Sequence, residues 1–193
     1  MGKLRARMVP DEWTGNPRHE VYRASLGTFM MSHGRYDFGD EPMPEGQHPL
    51  KLARALRAKG YVAYPVYLYD HGVQHLSTQS FVGRALHAEW DSGLVGVIAA
   101  APVTIRGEYG VKRITKAVRA RAEAALVAEI AELDMWLSGD VWRVEVYQED
   151  DDGEAVVLDS LSGIFGADAA RQEAVALLAE YGSEGGARVE EVW

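Results

Sequence analysis

The run Gly93-Leu94-Val95-Gly96-Val97-Ile98-Ala99-Ala100 carries no polar side chain. It is too short for a membrane span and bears the marks of a buried strand, which has to be covered on both faces because either face left to water would expose Val, Ile or Leu. The fold must therefore supply covering helices. Between about Val111 and Leu137, residues Val111, Ile114, Val118, Ala122, Ala125, Leu126, Ile130, Leu133 and Leu137 fall on one helical stripe that Gly139 ends. Pro49 to Lys59 predicts a shorter helix, with Pro49 in its first turn and Gly60 as its stop. Ala167 to Tyr181 predicts another, capped by Asp168 and ended by Gly182.

The remaining strands follow from alternation and β-branched content. Leu26–Met31 is a short apolar run, and Tyr61–Tyr69 is rich in β-formers, with Pro65 arguing for an edge or a bulge. Val141–Tyr147 alternates apolar and polar residues, and Ala155–Asp159 forms its hairpin partner across an Asp152-Gly153 turn. Residues 33–48 and 70–92 read as two long polar loops, the kind of segment that often carries function. The expected class is α+β, with a small mixed or antiparallel sheet, one long amphipathic helix and two shorter helices. Residues 1–25, broken by Pro10, Gly15 and Pro17, are expected as an irregular N-terminal arm. Residues 26–182 are expected as a single domain and 183–193 as a tail.

Composition excludes several classes. The 193 residues contain no cysteine, so a disulfide scaffold, a thiol nucleophile and Cys-based metal sites are ruled out. No apolar run follows the basic start at Met1–Arg7, and none is long enough to span a membrane, so a cytoplasmic protein is expected. The net charge of −9 makes direct nucleic-acid binding unexpected. That charge is uneven: residues 122–193 hold 18 Asp/Glu against three Arg, while the first 121 residues are net basic. Such asymmetry points to an acidic surface for a basic partner, or to lobes that attract each other. The long helix is polarised as well, with Lys112, Arg113, Lys116, Arg119 and Arg121 near its start and Glu123, Glu129, Glu132 and Asp134 further along. The helix dipole favours the reverse order.

Candidate chemistry lies in the polar loops. Asp70-His71-Gly72 sets a carboxylate beside an imidazole at a strand end, a general-base arrangement if the two touch, although neighbours on a strand point to opposite faces. His33, Arg35, Tyr36, Asp37 and Asp40 offer a base, a bidentate anion clamp, a phenol and two carboxylates within eight residues. Trp90, Asp91 and Ser92 open the buried strand, but Ser92 lacks the Gly-x-Ser-x-Gly elbow of a hydrolase. His71, His75 and His87 with Asp70 and Asp91 could gather as metal ligands, but the zincin spacing is absent, so no metal or other cofactor is expected. Asp150-Asp151-Asp152-Gly153-Glu154 fails the EF-hand spacing, and Ser162–Gly166 is a glycine-bearing turn before a helix that could hold an anion. His71, Asp70 and His33 are the candidate catalytic groups. Arg35, Tyr36, Asp37, Asp40, Trp90, Asp91 and Ser92 are the candidate ligand-binding groups.

A series of these motifs resembles a family of uncharacterised bacteriophage and mobile-element proteins. It runs through Asn16-Pro17-Arg18, Leu26-Gly27-Thr28, His33-x-Arg35-Tyr36-Asp37-x-Gly39-Asp40, Tyr67-Leu68-Tyr69-Asp70-His71 and Trp90-Asp91-Ser92-Gly93. Glu108-Tyr109-Gly110, Leu137-Ser138-Gly139-Asp140 and Asp159-Ser160 with Gly163 and Phe165-Gly166 continue it, over roughly residues 16–166. The resemblance implies a phage-encoded accessory protein and no particular reaction. Two readings follow. One is a non-enzymatic protein that binds a host protein, in counter-defence or host takeover. The alternative is a small enzyme or anionic-ligand-binding protein whose site lies in the loops at 33–40, 70–75 and 90–92. Convergence of His33, Arg35, Asp70, His71 and Asp91 on one concavity would favour the second.

Overall fold

A computed structural model describes residues 3–19, 25–149, 154–182 and 189–192. It has mixed helices and strands in two sheets, an α+β fold as expected. The chain divides into two compact units, residues 1–14 with 139–193 and residues 15–138, in place of the single domain expected over 26–182. Among the described residues no helix is long and apolar enough to cross a membrane.

The first unit corrects the expectation for both chain ends. Lys3–Pro10 is strand β1 rather than part of an irregular arm, because Leu4, Ala6 and Met8 alternate with Arg5 and Arg7. The remaining strands of this unit are β7 (Val141–Glu149), β8 (Ala155–Phe165) and β9 (Val189–Glu191), in the order β8-β7-β1-β9. β1 runs antiparallel to β7 from Lys3 opposite Glu149 to Pro10 opposite Trp142, and parallel to β9, which takes up part of the expected tail. Helix α5 (Ala167–Glu180) covers one face, setting Ala170, Ala174 and Leu178 on Ala6, Met8, Trp142, Val144 and Val146. The opposite face pairs charges: Arg5 with Glu149 and Glu190, Arg7 and Arg143 with Glu145. Asp168 does not cap α5. Asp140 does so from the residue just before β7, its Oδ1 accepting the Ala167 N–H at 2.9 Å, and Asp168 pairs with Arg171 instead. The Asp152-Gly153 turn, with Asp150 and Asp151, lies outside the described residues.

The second unit is built on the apolar run. Strands β2 (Thr28–Met31), β3 (Glu41–Pro42), β4 (Val62–His71), β5 (Val73–Ser77) and β6 (Ser92–Ala100) form a sheet in the order β3-β2-β6-β4-β5. β6 is central and covered on both faces, as its composition demands. Helix α4 (Lys116–Ser138) sets Val118, Ala122, Leu126, Ile130 and Leu133 against Val95, Ile98 and Ala100, with Phe29, Val66 and Leu68 in the same core. Helix α1 (Pro49–Ala58) sets Ala53, Leu52 and Leu56 against Val97, Ala99 and Ala63 on the other face. Pro65 pairs with Val97 where β4 has not yet met β5, and a bulge follows at Val66/Tyr67, so the missing N–H leaves no gap in the ladder. Two expectations need correction. Residues 70–92 are not one loop, since a tight turn at Gly72 (φ 88°) starts β5 and the one-turn helix α2 (Ala88–Asp91) precedes β6. The long helix begins at Lys116, after a separate short helix α3 (Pro102–Glu108), because Thr115 takes the cap position and its Oγ1 accepts the Val118 N–H.

Candidate functional site

Three segments of the second unit meet at one end of its sheet: the 32–40 loop after β2, the β4–β5 hairpin, and α2 with the start of β6. The hairpin places Gln74 opposite Asp70. Gln74 Nε2 donates to Asp70 Oδ1 at 2.9 Å, and Tyr36 Oη donates to Asp70 Oδ2 at 2.8 Å. Arg35 Nη2 reaches the same oxygen at 3.1 Å. These donors, Gln74 first and then Tyr36 and Arg35, hold the Asp70 carboxyl below the usual carboxylate range despite partial burial. The same bond to Asp70 raises the Tyr36 phenol. Asp70 is thus a fixed carboxylate that ties the 33–36 loop to the sheet.

Within that loop the rings are stacked. His33 lies on Tyr36 with centroids 5.0 Å apart, and the Arg35 guanidinium carbon sits 5.4 Å from the Tyr36 ring centre. His33 Nδ1 accepts the Arg35 N–H at 3.3 Å, which leaves Nε2 to carry the proton. Tyr36 stacks in turn on Phe38, whose edge meets Trp136 of α4. This continuous column fixes the loop, so Arg35 is presented from a rigid base with a side chain 74% exposed.

On the other side, His87 caps the start of α2 in a left-handed conformation (φ 53°), which turns the chain so that Trp90 stands 87% exposed. Ser92 Oγ donates to the Ala88 carbonyl at 2.5 Å. Its hydroxyl is occupied by closing the helix turn. Asp91 Oδ2 lies 2.8 Å from His71 Nδ1.

Between these walls lies a cleft of about 420 Å³. His33, Arg35, Asp70, Trp90, Asp91 and Ser92 line it, over a floor of Leu68, Gly93, Leu94 and Val95. Six of the ten candidate site residues therefore meet in one place. His71 does not line it. As strand alternation requires, it points to the face opposite Asp70, where its ring neighbours Tyr69 at 6.0 Å and His87 at 6.0 Å. The Asp70–His71 pairing is thus replaced by Asp91–His71, and His71 joins the cleft only through Asp91.

A second cavity of about 510 Å³ lies across the loop, against Asp37, Asp40, Glu41, His19 and the other side of His33 and Tyr36. Asp40 is committed elsewhere. Its carboxylate accepts the Phe29 N–H at 2.7 Å and Arg18 Nε at 2.9 Å, and also meets Arg18 Nη2. Arg18, whose side chain is 3% exposed, further donates to Glu129 and to the Gly27 carbonyl, both at 2.6 Å. Asp40 is a clamp within the fold, not a ligand group of the cleft, and Asp37 is separated from the cleft by the loop.

The imidazoles are shared out among different carboxylates: His71 to Asp91, His75 to Asp134 at 3.1 Å. Among the described residues no group of three or more ligating side chains comes together. The segment expected as an anion-holding turn is instead the end of β8 up to Phe165, and its Gly163 N–H donates to a carboxylate of the same unit, Asp11 Oδ2, at 2.8 Å. Sequence reasoning missed Gln74, which a hairpin centred on Gly72 would have placed beside Asp70, and Asp134, which accepts the outward Leu76 N–H of edge strand β5 at 2.7 Å. No family model, no curated protein and no solved structure matches this chain.

Proposed function

We propose that the chain is a binding protein rather than an enzyme, and that its site is the cleft between Arg35 and Trp90, taking a ligand with an anionic group. One observation carries this reading. Arg35 and Trp90 line the cleft with His33 and Asp91, whereas its one hydroxyl, Ser92 Oγ, is bonded to the Ala88 carbonyl, and His71, the imidazole paired with a carboxylate of the cleft, is not among the lining residues. Arg35 is held by Asp70 through one N–H, and its exposed edge keeps further donors in the fork geometry that matches a carboxylate or phosphate. The motifs that resemble phage and mobile-element proteins supply all of these residues, which supports a phage-encoded cytoplasmic accessory factor that engages a host protein here. The acidic C-terminal third is a weaker candidate for that contact, because Glu145, Glu149, Glu190 and Glu191 are already paired with arginines of the same unit.

Titration of the ¹⁵N-labelled protein with succinate and with inorganic phosphate tests this. Saturable shifts of the Arg35 Nε–H and Trp90 indole N–H signals are expected, both kept in Asp37→Asn, with the Trp90 shift lost in Arg35→Gln. Shifts that persist in Arg35→Gln, or no saturable shift at either group, would overturn it.

A further inference from the structure

The cleft lies where the sheet of the second unit parts. β2 follows β6 from Ala99 back to Gly96, and the Ser32 N–H still reaches the Val95 carbonyl at 2.9 Å. There the 33–40 loop turns away. β6 continues through Leu94 and Gly93 to Ser92 paired with β4 on its other side. On the side where β2 has left, the backbone groups of Ser92–Leu94 that face away from β4 have no strand beside them among the described residues. This bare edge is also the floor of the cleft.

Gly93 keeps that floor open. A Cβ built there meets no atom within 4 Å, so a side chain on this stretch of the floor would project into open space without clashing with the protein. The volume of about 420 Å³ falls in the range of roughly 300–1,000 Å³ typical of ligand pockets. A bare strand edge, a guanidinium fixed at one wall and an exposed indole at the other are the parts of a strand-addition site: main-chain hydrogen bonds supply affinity and the flanking groups choose the side chains. Two carboxylates, Asp70 and Asp91, line the same cleft. They disfavour a run of phosphates but leave room for one acidic side chain at Arg35, since Asp70 is already taken up by Gln74 and Tyr36 and Asp91 by His71.

Resting on the reading of the cleft as an anion site, we propose that its ligand is an extended segment of a partner protein that adds to β6 at Ser92–Leu94, with an internal Asp or Glu on Arg35 and an apolar neighbour against Trp90. Selection of N-acetylated, C-amidated heptapeptides on the full chain tests this, followed by fluorescence anisotropy of the selected peptides. The selected peptides are expected to share one Asp or Glu position. Gly93→Leu should weaken them roughly tenfold or more with an unchanged melting curve, and N-methylation of the peptide's central amide should do the same on the unaltered protein. Arg35→Gln should abolish the acidic preference. Peptides that bind Gly93→Leu and their N-methylated forms undiminished would overturn the proposal. So would the absence of any selected peptide; if succinate still shifts Arg35 Nε–H, the anion site stands and only the peptide is refuted, and if it does not, both fall.

Discussion

Asp70 and His71 are neighbours in the chain with opposite surroundings. Asp70 gathers Gln74, Tyr36 and Arg35, while His71, on the other strand face, finds Asp91. The polar character of this stretch was legible, and so was the rule that adjacent strand residues diverge. Which partner each would take was not, because Tyr36, Gln74 and Asp91 arrive from three different segments and only the tertiary fold sets their distances. The fixed ionisation of Asp70 has a measurable consequence. Its folded pKa lies below its unfolded value of about 3.9, so its contribution to stability is complete above that value and is lost as the pH falls through the folded pKa. Gln74→Leu and Tyr36→Phe should each raise the Asp70 pKa towards 3.9, followed by carbon NMR of the carboxyl. Asp70→Asn should remove this residue's share of the acid destabilisation, so the stability gap between wild type and variant narrows between neutral pH and pH 3 in urea titrations. A gap that widens on acidification would contradict the assignment.

Helix α4 shows why a charge pattern that looks wrong locally can be right in the fold. Its apolar stripe placed it correctly against β6, yet its charges oppose the helix dipole, a penalty of roughly 0.3–1 kcal/mol per terminal charge. Tertiary bonds offset this. Arg119 donates to the Gly60 and Tyr61 carbonyls just after α1, Glu129 receives Arg18 and the Leu26 and Gly27 amides, and Asp134 receives Leu76 N–H and His75. None of these partners is near in sequence, so the pattern alone could not name them. Glu129→Ala leaves the buried Arg18 guanidinium with one carboxylate fewer and two amides unpaired, and should cost about 3 kcal/mol in urea denaturation. Arg119→Ala, which removes two long bonds to carbonyls at 3.3 and 3.4 Å, should cost about 1 kcal/mol. The close approach of β2 to β6 is as demanding. A Cβ on Gly96 would stand 2.2 Å from the Met30 carbonyl oxygen, so Gly96→Ala should destabilise by about 1–3 kcal/mol. Equal losses in all three variants would mean that these contacts do not carry the distinctions drawn here.

The two units are interleaved in the chain: residues 15–138 form one, and the segments on either side of them form the other. This organisation escaped the sequence because β1 reads as a basic arm. Arg5 and Arg7 mask the alternation of Leu4, Ala6 and Met8, and only pairing with Glu149, Glu190 and Glu145 about 140 or more residues away makes a strand of it. The uneven charge noted along the sequence is therefore partly a pairing code within the first unit, N-terminal arginines against C-terminal glutamates. β1 lies between β7 and β9 and buries Ala6 and Met8 under α5, so it cannot leave without exposing the edges of both neighbours and part of that core. Every residue assigned to the cleft belongs instead to the other unit. Deleting residues 1–10 should then remove amide-exchange protection from Val144 and Val146 and loosen the environment of Trp142, while the succinate response at Arg35 Nε–H persists. Retained protection at Val144 would show that β1 is dispensable to its sheet. Loss of the succinate response along with the protection would show that the cleft depends on the first unit as well.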